Sequence, residues 1–375
     1  VTLLVVGNRE TPRGRRLAEA LQQSALAWRW ASWDDAIADP AALAARVNPG
    51  DLVRLESPGQ RPEVERALHL AGADAPLPPR AERLDAAALR ALPAERGRLL
   101  APAQWFAGFR RALGALDAAV RARGGRFANA PADVDAMFDK PATHARLAAA
   151  GVATTEGLGA VDTWDELLDR MRARGLDRAF VKLAAASSSA GAVALSLRTG
   201  APRVLTTIEL ARSPHATRRY NSRRVRLALG DEARELTAWV LDQGAQVERW
   251  HPKARVAGGE FDLRVVCIGG AARHHVARVS RTPMTNLHLG NRRLQPDELA
   301  AAIPARALGA ALALAARAAR AFPDSACCGV DVLLDPALAS PRVIEVNAFG
   351  DLLPGTLDGG VETHAAELAL LAGPP

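Results

Sequence analysis

The sequence predicts an α/β domain followed by two α+β subdomains, and three stretches carry that prediction. Residues 1–6 are a continuous apolar run, residues 13–23 place Leu17, Ala20 and Leu21 on one helical face, and residues 51–55 are a second apolar run, giving strand, helix, strand. Residues 179–183 and 193–197 read as strands joined by a loop of small residues, a hairpin with a mobile tip. Residues 329–334 and 342–346 read as two apolar strands joined by a turn that contains proline. The expected division is an N-terminal α/β domain over 1–130, a central part with a lid over 131–250, and a C-terminal part over 251–375.

The remaining elements follow in order. Trp28, Trp30 and Trp33 are too closely spaced for one helix face and are expected to straddle a strand and pack the first domain. Residues 76–102 are rich in Pro, Ala and Arg and read as a surface excursion. A helix over 104–123 closes at Gly124-Gly125, and a strand then enters a turn at Asn129-Ala130-Pro131. One helix is expected over 133–150, carrying Lys140 and ending at Gly151. Helices over 164–174 and 232–243, strands over 261–268 and 274–280, a polar loop over 281–293, and helices over 305–321 and 360–371 complete the chain. No internal repeat is visible.

With 375 residues, 49% hydrophobic and 24% charged, the chain has the composition of a globular protein with a sizeable core. The net charge of +7 is local: residues 201–300 hold 17 basic and 10 acidic side chains, and the other 275 balance at 31 each. A local excess favours a site that handles anions over a surface that binds nucleic acid generally. Only Lys140, Lys182 and Lys253 are lysines among 48 basic residues. In a chain that otherwise uses arginine, a retained lysine is a candidate for a role that needs a compact charge on a flexible stem. Cys267, Cys327 and Cys328 give neither a disulfide framework nor a metal spacing, and the adjacent pair reads as buried packing. The opening run reads as a strand rather than a signal peptide, and no apolar stretch approaches the ~20 residues of a membrane span. The expected compartment is the cytoplasm, with no membrane partner.

The chemistry is concentrated near the end. Asp331 lies in Gly-Val-Asp-Val-Leu-Leu, and Glu345 and Asn347 lie in Ile-Glu-Val-Asn. Alternation puts Glu345 and Asn347 on one face of a strand, and Asp331 joins them if the two strands pair. Two carboxylates and an amide oxygen set in apolar surroundings repel unless a cation sits between them, and hard oxygen ligands suit Mg²⁺. Lys182 leaves a strand toward a loop, Ser187, Ser188, Ser189 and Gly191, whose N–H groups and hydroxyls suit a phosphate. Asp262 and Arg264 share a strand face, and Arg264, Arg278, Arg281 and Asn286 are candidates for holding an anion. For Arg281 a solvent-facing position is an equal expectation. His144, His251, His274, His275 and His288 form no metal spacing with a carboxylate; at His288 a catalytic role is one reading, and a loop or structural histidine is the favoured expectation. The run Arg218–Arg224 suits RNA or an acidic peptide, but the favoured expectation is a solvated lid face.

The order of these motifs resembles the ATP-grasp superfamily, and within it the glutamate ligases that extend the tail of a ribosomal protein. The resemblance rests on Asp139-Lys140, Phe-Val-Lys182 with its loop, Glu248, Asp262-x-Arg264, Asn286-Leu287-His288, Gly-Val-Asp331 and Glu345-Val-Asn347, and it covers about residues 130–360. It implies an ATP-grasp fold of two α+β subdomains enclosing ATP. Lys140 and Lys182 would contact its phosphates. Glu248, with the backbone of Arg249 and Trp250, would meet the adenosine. Asp331, Glu345 and Asn347 would bind Mg²⁺, and Arg264, Arg278 and Asn286 would face the γ-phosphate and the acceptor carboxylate. The chain departs from that branch in three places. The loop 187–192 has one glycine, Pro283-Met284-Thr285 lacks an arginine common there, and Leu289-Gly290-Asn291 replaces the usual Gly-Gly. The substrate is therefore expected to differ from that branch's own.

The implied activity is an ATP-dependent carboxylate–amine ligase working through an acyl phosphate, with the segment 181–250 closing over ATP to exclude water. Its expected partners are small-molecule or peptide carboxylates and amines. Two other readings remain at this stage: a phosphotransferase on the same nucleotide site, and a non-catalytic module that binds ATP or RNA. A dinucleotide-dependent dehydrogenase is disfavoured, because Gly7-Asn8-Arg9-Glu10 follows the first strand where a G-x-G-x-x-G turn would be needed.

Overall fold

Four parallel strands, β1 (Thr2–Val6), β2 (Ala27–Ala31), β3 (Leu52–Leu55) and β4 (Arg126–Phe127), form the first sheet in the order β2-β1-β3-β4. The computed structural model describes residues 2–186, 189–350 and 353–373. A parallel sheet needs cover on both faces, which is why β1 and β3 read as unbroken apolar runs. Helix α1 (Pro12–Gln23) buries Leu17 and Leu21 on one side, with Thr11 accepting from the Gly14 N–H at its start. Helices α2 (Trp33–Ala38), α3 (Pro40–Ala44), α4 (Pro62–Ala71), α5 (Ala86–Ala91) and α6 (Pro102–Ala122) complete the domain. Helices α4 and α6 cross at Gly72 and Gly108, where a Cβ on Gly108 would lie 1.8 Å from the Leu68 carbonyl oxygen, so glycine sets their spacing. Trp28 and Trp30 lie on β2, while Trp33 opens α2 and is buried with Nε1 donating to the Glu56 carbonyl at 2.8 Å.

The single helix expected over 133–150 is two helices, α7 (Pro131–Phe138) and α8 (Lys140–Ala149). Asp139 between them is extended, and its carboxylate accepts from the Ala142 N–H. Pro141 explains the break: its ring has no N–H to give to the preceding turn, and it disfavours helical continuity just before itself. Lys140 is thereby moved from mid-helix to the first turn of α8.

The lid is an antiparallel sheet of β5 (Arg178–Leu183), β6 (Val193–Ser196), β7 (Arg203–Arg212), β8 (Thr217–Leu229) and β9 (Ala245–Arg249) in the order β8-β7-β6-β5-β9. One face is covered by α9 (Trp164–Ala173) and α10 (Gly230–Asp242). The segment 76–101 is more than a surface excursion, because it straps the first domain to this lid. The Leu99 N–H donates to the Arg219 carbonyl at 2.8 Å, the Asn221 N–H to the Gly97 carbonyl at 2.7 Å, and Trp239 Nε1 to Glu82 at 2.9 Å. Arg218 and Arg219 of the basic run pair with Glu95 and Glu82, so part of that run fastens the strap.

The C-terminal sheet holds β10 (Arg255–Val256), β11 (Gly259–Ile268), β12 (Ala271–Ser280), β13 (Arg292–Leu294), β14 (Cys327–Leu333) and β15 (Arg342–Asn347), in the order β13-β12-β11-β14-β15 with β10 paired to β11. Helices α11 (Pro296–Ala302) and α12 (Ala305–Arg320) pack on one face. A short hairpin of β16 (Leu357–Asp358) and β17 (Val361–Glu362) leads to α13 (Thr363–Ala372), which packs back on the first domain through Leu368 and an Arg54–Glu367 ion pair at 2.9 Å. Buried side chains of the first domain, of α7 and α8, and of the C-terminal sheet run together in one core, and a second core lies within 158–247. The three cysteines are buried and unpaired. Among the described residues no helix is long and apolar enough to cross a membrane.

Candidate active site

The open face of the C-terminal sheet supplies one wall. Asp331 stands directly opposite Arg264 of β11 on one side and Glu345 of β15 on the other. Directly opposed residues share a face, so Arg264, Asp331 and Glu345 form one row, and Asn347 and Asp262 continue it two residues along their strands. A register shift between β14 and β15 falls between Asp331 and Val332, leaving Ile344 as the extra residue. This bulge keeps Glu345 opposite Asp331 while the strand twists. The expected convergence of Asp331, Glu345 and Asn347 is therefore present, with Asn347 Nδ2 3.4 Å from Glu345 Oε1.

Two arginines of the same sheet stand against these carboxylates. Arg264 Nη2 donates to Asp331 at 3.1 Å, and Arg278 pairs with Asp331 at 3.0 Å and with Asp262 at 2.7 Å. Arg264 and Arg278 are both buried. Lys253 Nζ completes the network, donating to Asp262 at 3.1 Å and to Thr285 at 2.9 Å. Among the described residues no group of three or more His, Cys, Asp or Glu side chains is arranged to hold a metal ion. The available donor set is two carboxylates and one amide. Burial works to raise the Glu345 pKa, but Lys140 and Lys182 outweigh it and hold the carboxyl at about 2. Burial, with Glu345 opposite, pushes the Asp331 carboxyl up against the pull of Arg264 and Arg278.

The lid supplies the other wall. Ala179, Val181 and Leu183 of β5 enter the lid core, so alternation turns Phe180 and Lys182 the other way, beside Gln246 and Glu248 of β9. Lys182 Nζ donates to Glu248 at 2.9 Å, and Thr155 Oγ1 donates to the same oxygen at 2.8 Å. His144 Nε2 lies 3.6 Å from the other oxygen. Burial works to raise the Glu248 carboxyl, and Lys182 overcomes it, leaving the pKa low. Lys140 enters from α8 and donates to the Ala186 carbonyl at 2.8 Å. Burial lowers its pKa, with Glu345 opposing.

These walls enclose a cavity of about 100 Å³, and all three lysines of the chain line it together with Glu248, Asp262, Asp331 and Glu345. Ser187 and Ser188 lie outside the described residues. Ser189 and Gly191 frame the loop in left-handed conformations, with φ of 58° and 66°. Gly191 has a second constraint, since a Cβ there would lie 2.6 Å from the Leu183 side chain. Asn286 lines the cavity and caps a short turn, its Oδ1 accepting from the His288 N–H at 2.9 Å. Arg249 is exposed, lines the cavity and pairs with Glu156, whereas Trp250 packs on Phe180 at 5.2 Å and is outside the cavity lining. Arg281 is exposed and lines neither this cavity nor the larger one described next.

A second cavity of about 2060 Å³ opens from the same place. It shares Lys140, Asn286 and Glu345 with the small one, adds Arg264 and Asn347, and extends over α1, α4, the strap and α13.

Sequence reasoning missed Lys253, Thr285, Thr155 and His144 as parts of this constellation. For Lys253 the signal was its scarcity. For His144 it was the four-residue spacing from Lys140, which puts both on one face of α8. Thr155 and Thr285 meet their carboxylates only through tertiary packing.

No family model and no curated protein matches the chain. Solved structures do. D-cycloserine synthetase DcsG is similar over 99% of each chain, with 16% identity and a TM-score of 0.56. The ATP-grasp ligase PsnB, solved with precursor peptide PsnA2 and AMPPNP, is similar over 99% of this chain and 97% of its own, with 16% identity and a TM-score of 0.52. The D-alanine–D-alanine ligase of Bacillus anthracis, solved with ATP, covers the same shares at 12% identity and a TM-score of 0.53. The chain has the ATP-grasp fold, and the likeness extends through the first domain, where the sequence offered no motif.

Proposed function

We propose that the protein is an ATP-dependent, ADP-forming carboxylate–amine ligase. The observation that carries the reading is the convergence of all three lysines and the Asp331–Glu345 pair between two sheets whose fold is that of ATP-grasp ligases. ATP would lie between the sheets. Lys140 and Lys182 would neutralise its phosphates, and Ser189, Gly191 and the intervening loop would cover them. Glu248 and the backbone of Arg249 and Trp250 would flank the adenosine. Lys182 is held by Glu248 here, so nucleotide phosphate competes with that carboxylate for it. The cavity is smaller than the roughly 300–1,000 Å³ of small-ligand sites, so ATP would also use the adjoining larger cavity or widen the gap between lid and C-terminal sheet.

An oxygen of the substrate carboxylate attacks the γ-phosphorus, the bond from that phosphorus to ADP breaks, and an acyl phosphate forms. The amine then attacks the carbonyl carbon, phosphate leaves with one former carboxylate oxygen, and the amine gives up a proton as the amide forms. Arg264, Arg278 and Asn286 stabilise the charge that develops on the phosphoryl group and hold the carboxylate in line. The donor set of Asp331, Glu345 and Asn347 fits Mg²⁺, with the remaining ligands from phosphate and water, and a bound Mg²⁺ would supply further charge neutralisation. ATP as cosubstrate and three unpaired cysteines fit a cytoplasmic setting.

The test is ADP release measured across paired carboxylates and amines with Mg²⁺ present. ADP release that depends on both substrates, with an amide product, supports the ligase. A stable phosphorylated product formed without an amine would make it a phosphotransferase instead, and ATP binding without turnover would leave only a binding module.

A further inference from the structure

The turn that follows Asn347 is held from the first domain. Arg13, in the first turn of α1, donates from Nη1 to the Gly350 carbonyl at 2.7 Å and from Nη2 to the Phe349 carbonyl, while its Nε donates to Glu56. Asn129, just after β4, donates from Nδ2 to the Ala348 carbonyl at 2.8 Å and to the Cys327 carbonyl at 2.7 Å. Three consecutive carbonyls, those of Ala348, Phe349 and Gly350, therefore end on two side chains of the first domain. Arg13 is itself fixed from behind. Glu56, buried just past β3, also accepts from Arg54 Nη1 at 2.9 Å and from the Ser57 N–H at 2.8 Å. Arg54 in turn reaches Glu367 of α13 through two bonds of 2.9 Å.

Asn347 has little else to aim it. It is the last residue of β15, paired with Gly329 where the ladder stops. Its Nδ2 reaches the Gly329 carbonyl and Glu345 only at 3.4 Å, beyond the usual hydrogen-bond range, and among the described residues nothing donates to its Oδ1. The backbone beyond it forms a tight turn: the Gly350 N–H donates back to the Asn347 carbonyl at 3.2 Å, with Gly350 at a φ of 56° that suits glycine. Arg13 grips the far end of that turn.

We propose that Arg13 is a positioning residue: holding the turn 347–350 from α1, it sets the Asn347 amide beside Glu345 and Asp331, so that the first domain completes the proposed Mg²⁺ site. The assignment rests on the ligase reading. A planar guanidinium reaches one carboxylate and two successive carbonyls at once, which the compact ammonium of a lysine cannot match. Groups standing behind metal ligands orient them in just this way. Lys140 and Lys182, placed on the phosphates above, bond elsewhere, to the Ala186 carbonyl and to Glu248. Loss of the fork therefore weakens the part of ATP binding that needs the metal and spares the rest.

The experiment is calorimetric titration of the full chain with ATP, once with Mg²⁺ and once with EDTA. The ratio of the two dissociation constants is the metal-dependent gain. Arg13→Lys keeps a charge opposite Glu56; it should cut that gain at least fivefold and leave the affinity in EDTA within twofold of the parent. Asn347→Ala should do the same, and Arg13→Lys/Asn347→Ala should lose no more than Asn347→Ala alone, since both act through one amide. Leu368→Ala loosens the packing of α13 on the first domain without touching the turn, and should keep the gain within twofold. If Arg13→Lys does not fold, Arg13→Met/Glu56→Gln takes its place with the same expectation, because it removes both charges and leaves Arg54 its bonds to Glu367. An unchanged gain in the Arg13 variant, an equal loss of affinity in EDTA, additive losses in the double variant or an equal loss in Leu368→Ala overturns the assignment and leaves the ligase reading standing. A parent whose ATP affinity is indifferent to Mg²⁺ overturns the assignment too, while its nucleotide site stands. A parent that binds ATP under neither condition overturns the ligase reading itself.

Discussion

The two cavities that meet at Lys140 and Glu345 are built on opposite electrostatic plans. In the small one each acid has a base in contact or close by: Asp262 has Arg278 and Lys253, Asp331 has Arg264 and Arg278, Glu248 has Lys182. In the large one the arginines outnumber the acids, and among the described residues Arg16, Arg66, Arg96 and Arg223 have no carboxylate partner. The difference teaches where each region spends its charge. Buried charges must be paired or the fold is destabilised, so the small cavity's network is structural before it is chemical. Arg16, Arg96 and Arg223 in the large cavity are exposed, so water can solvate them without a partner.

The sharpest way to break this contrast is at Glu345. Glu345→Gln keeps the shape and removes one charge from the proposed metal and phosphate site, and we expect turnover to fall by about 10²–10³-fold or more while ATP binding is retained in calorimetry. Turnover within tenfold of the parent would remove Glu345 from the chemistry. The next largest effect is expected at Lys253. Lys253→Met leaves Asp262 with Arg278 and the Thr285 hydroxyl, and losing the charged hydrogen bond costs about 1.5–3 kcal/mol, read as a lower midpoint in urea unfolding. A loss below about 0.5 kcal/mol would mean that Lys253 behaves as a surface residue.

Glu65, on α4 in the wall of the large cavity, gives a pH test. Burial raises its pKa to about 7 from an ordinary 4.5. A carboxyl whose pKa is raised on folding binds its proton more tightly in the folded state. Its contribution is fully present below pH 4.5 and is lost as pH rises through 7. Glu65→Gln should therefore raise stability at pH 8 by about 3 kcal/mol and leave it unchanged at pH 4, as read by thermal melts at both pH values. The smallest effect closes the comparison. Arg223→Glu should shift unfolding free energy by less than about 0.5 kcal/mol, since Arg223 is exposed and breaks no ion pair.

Much of the site was legible because its residues interrupt apolar strands. Asp331, Glu345 and Lys182 stand out in β14, β15 and β5 as charges where periodicity calls for a core, and their register follows from strand pairing. Other parts left no such trace. The hairpin β7–β8 escaped notice because most of β8 has no buried face, so its sequence lacks the alternation that marks a half-buried strand. The break at Asp139 was available in Pro141 but was outweighed by the apolar spacing on both sides. The strap could be seen only as a Pro-rich stretch, since its bonds to Arg219 and Trp239 join residues far apart in sequence.

The most direct measurement follows a single oxygen atom. With a carboxylate and amine that support ADP release, the carboxylate is labelled with oxygen-18 and the inorganic phosphate is analysed by mass spectrometry. The account predicts one labelled oxygen in each phosphate released, carried over from the acyl phosphate. Phosphate free of label, formed together with amide, would contradict it.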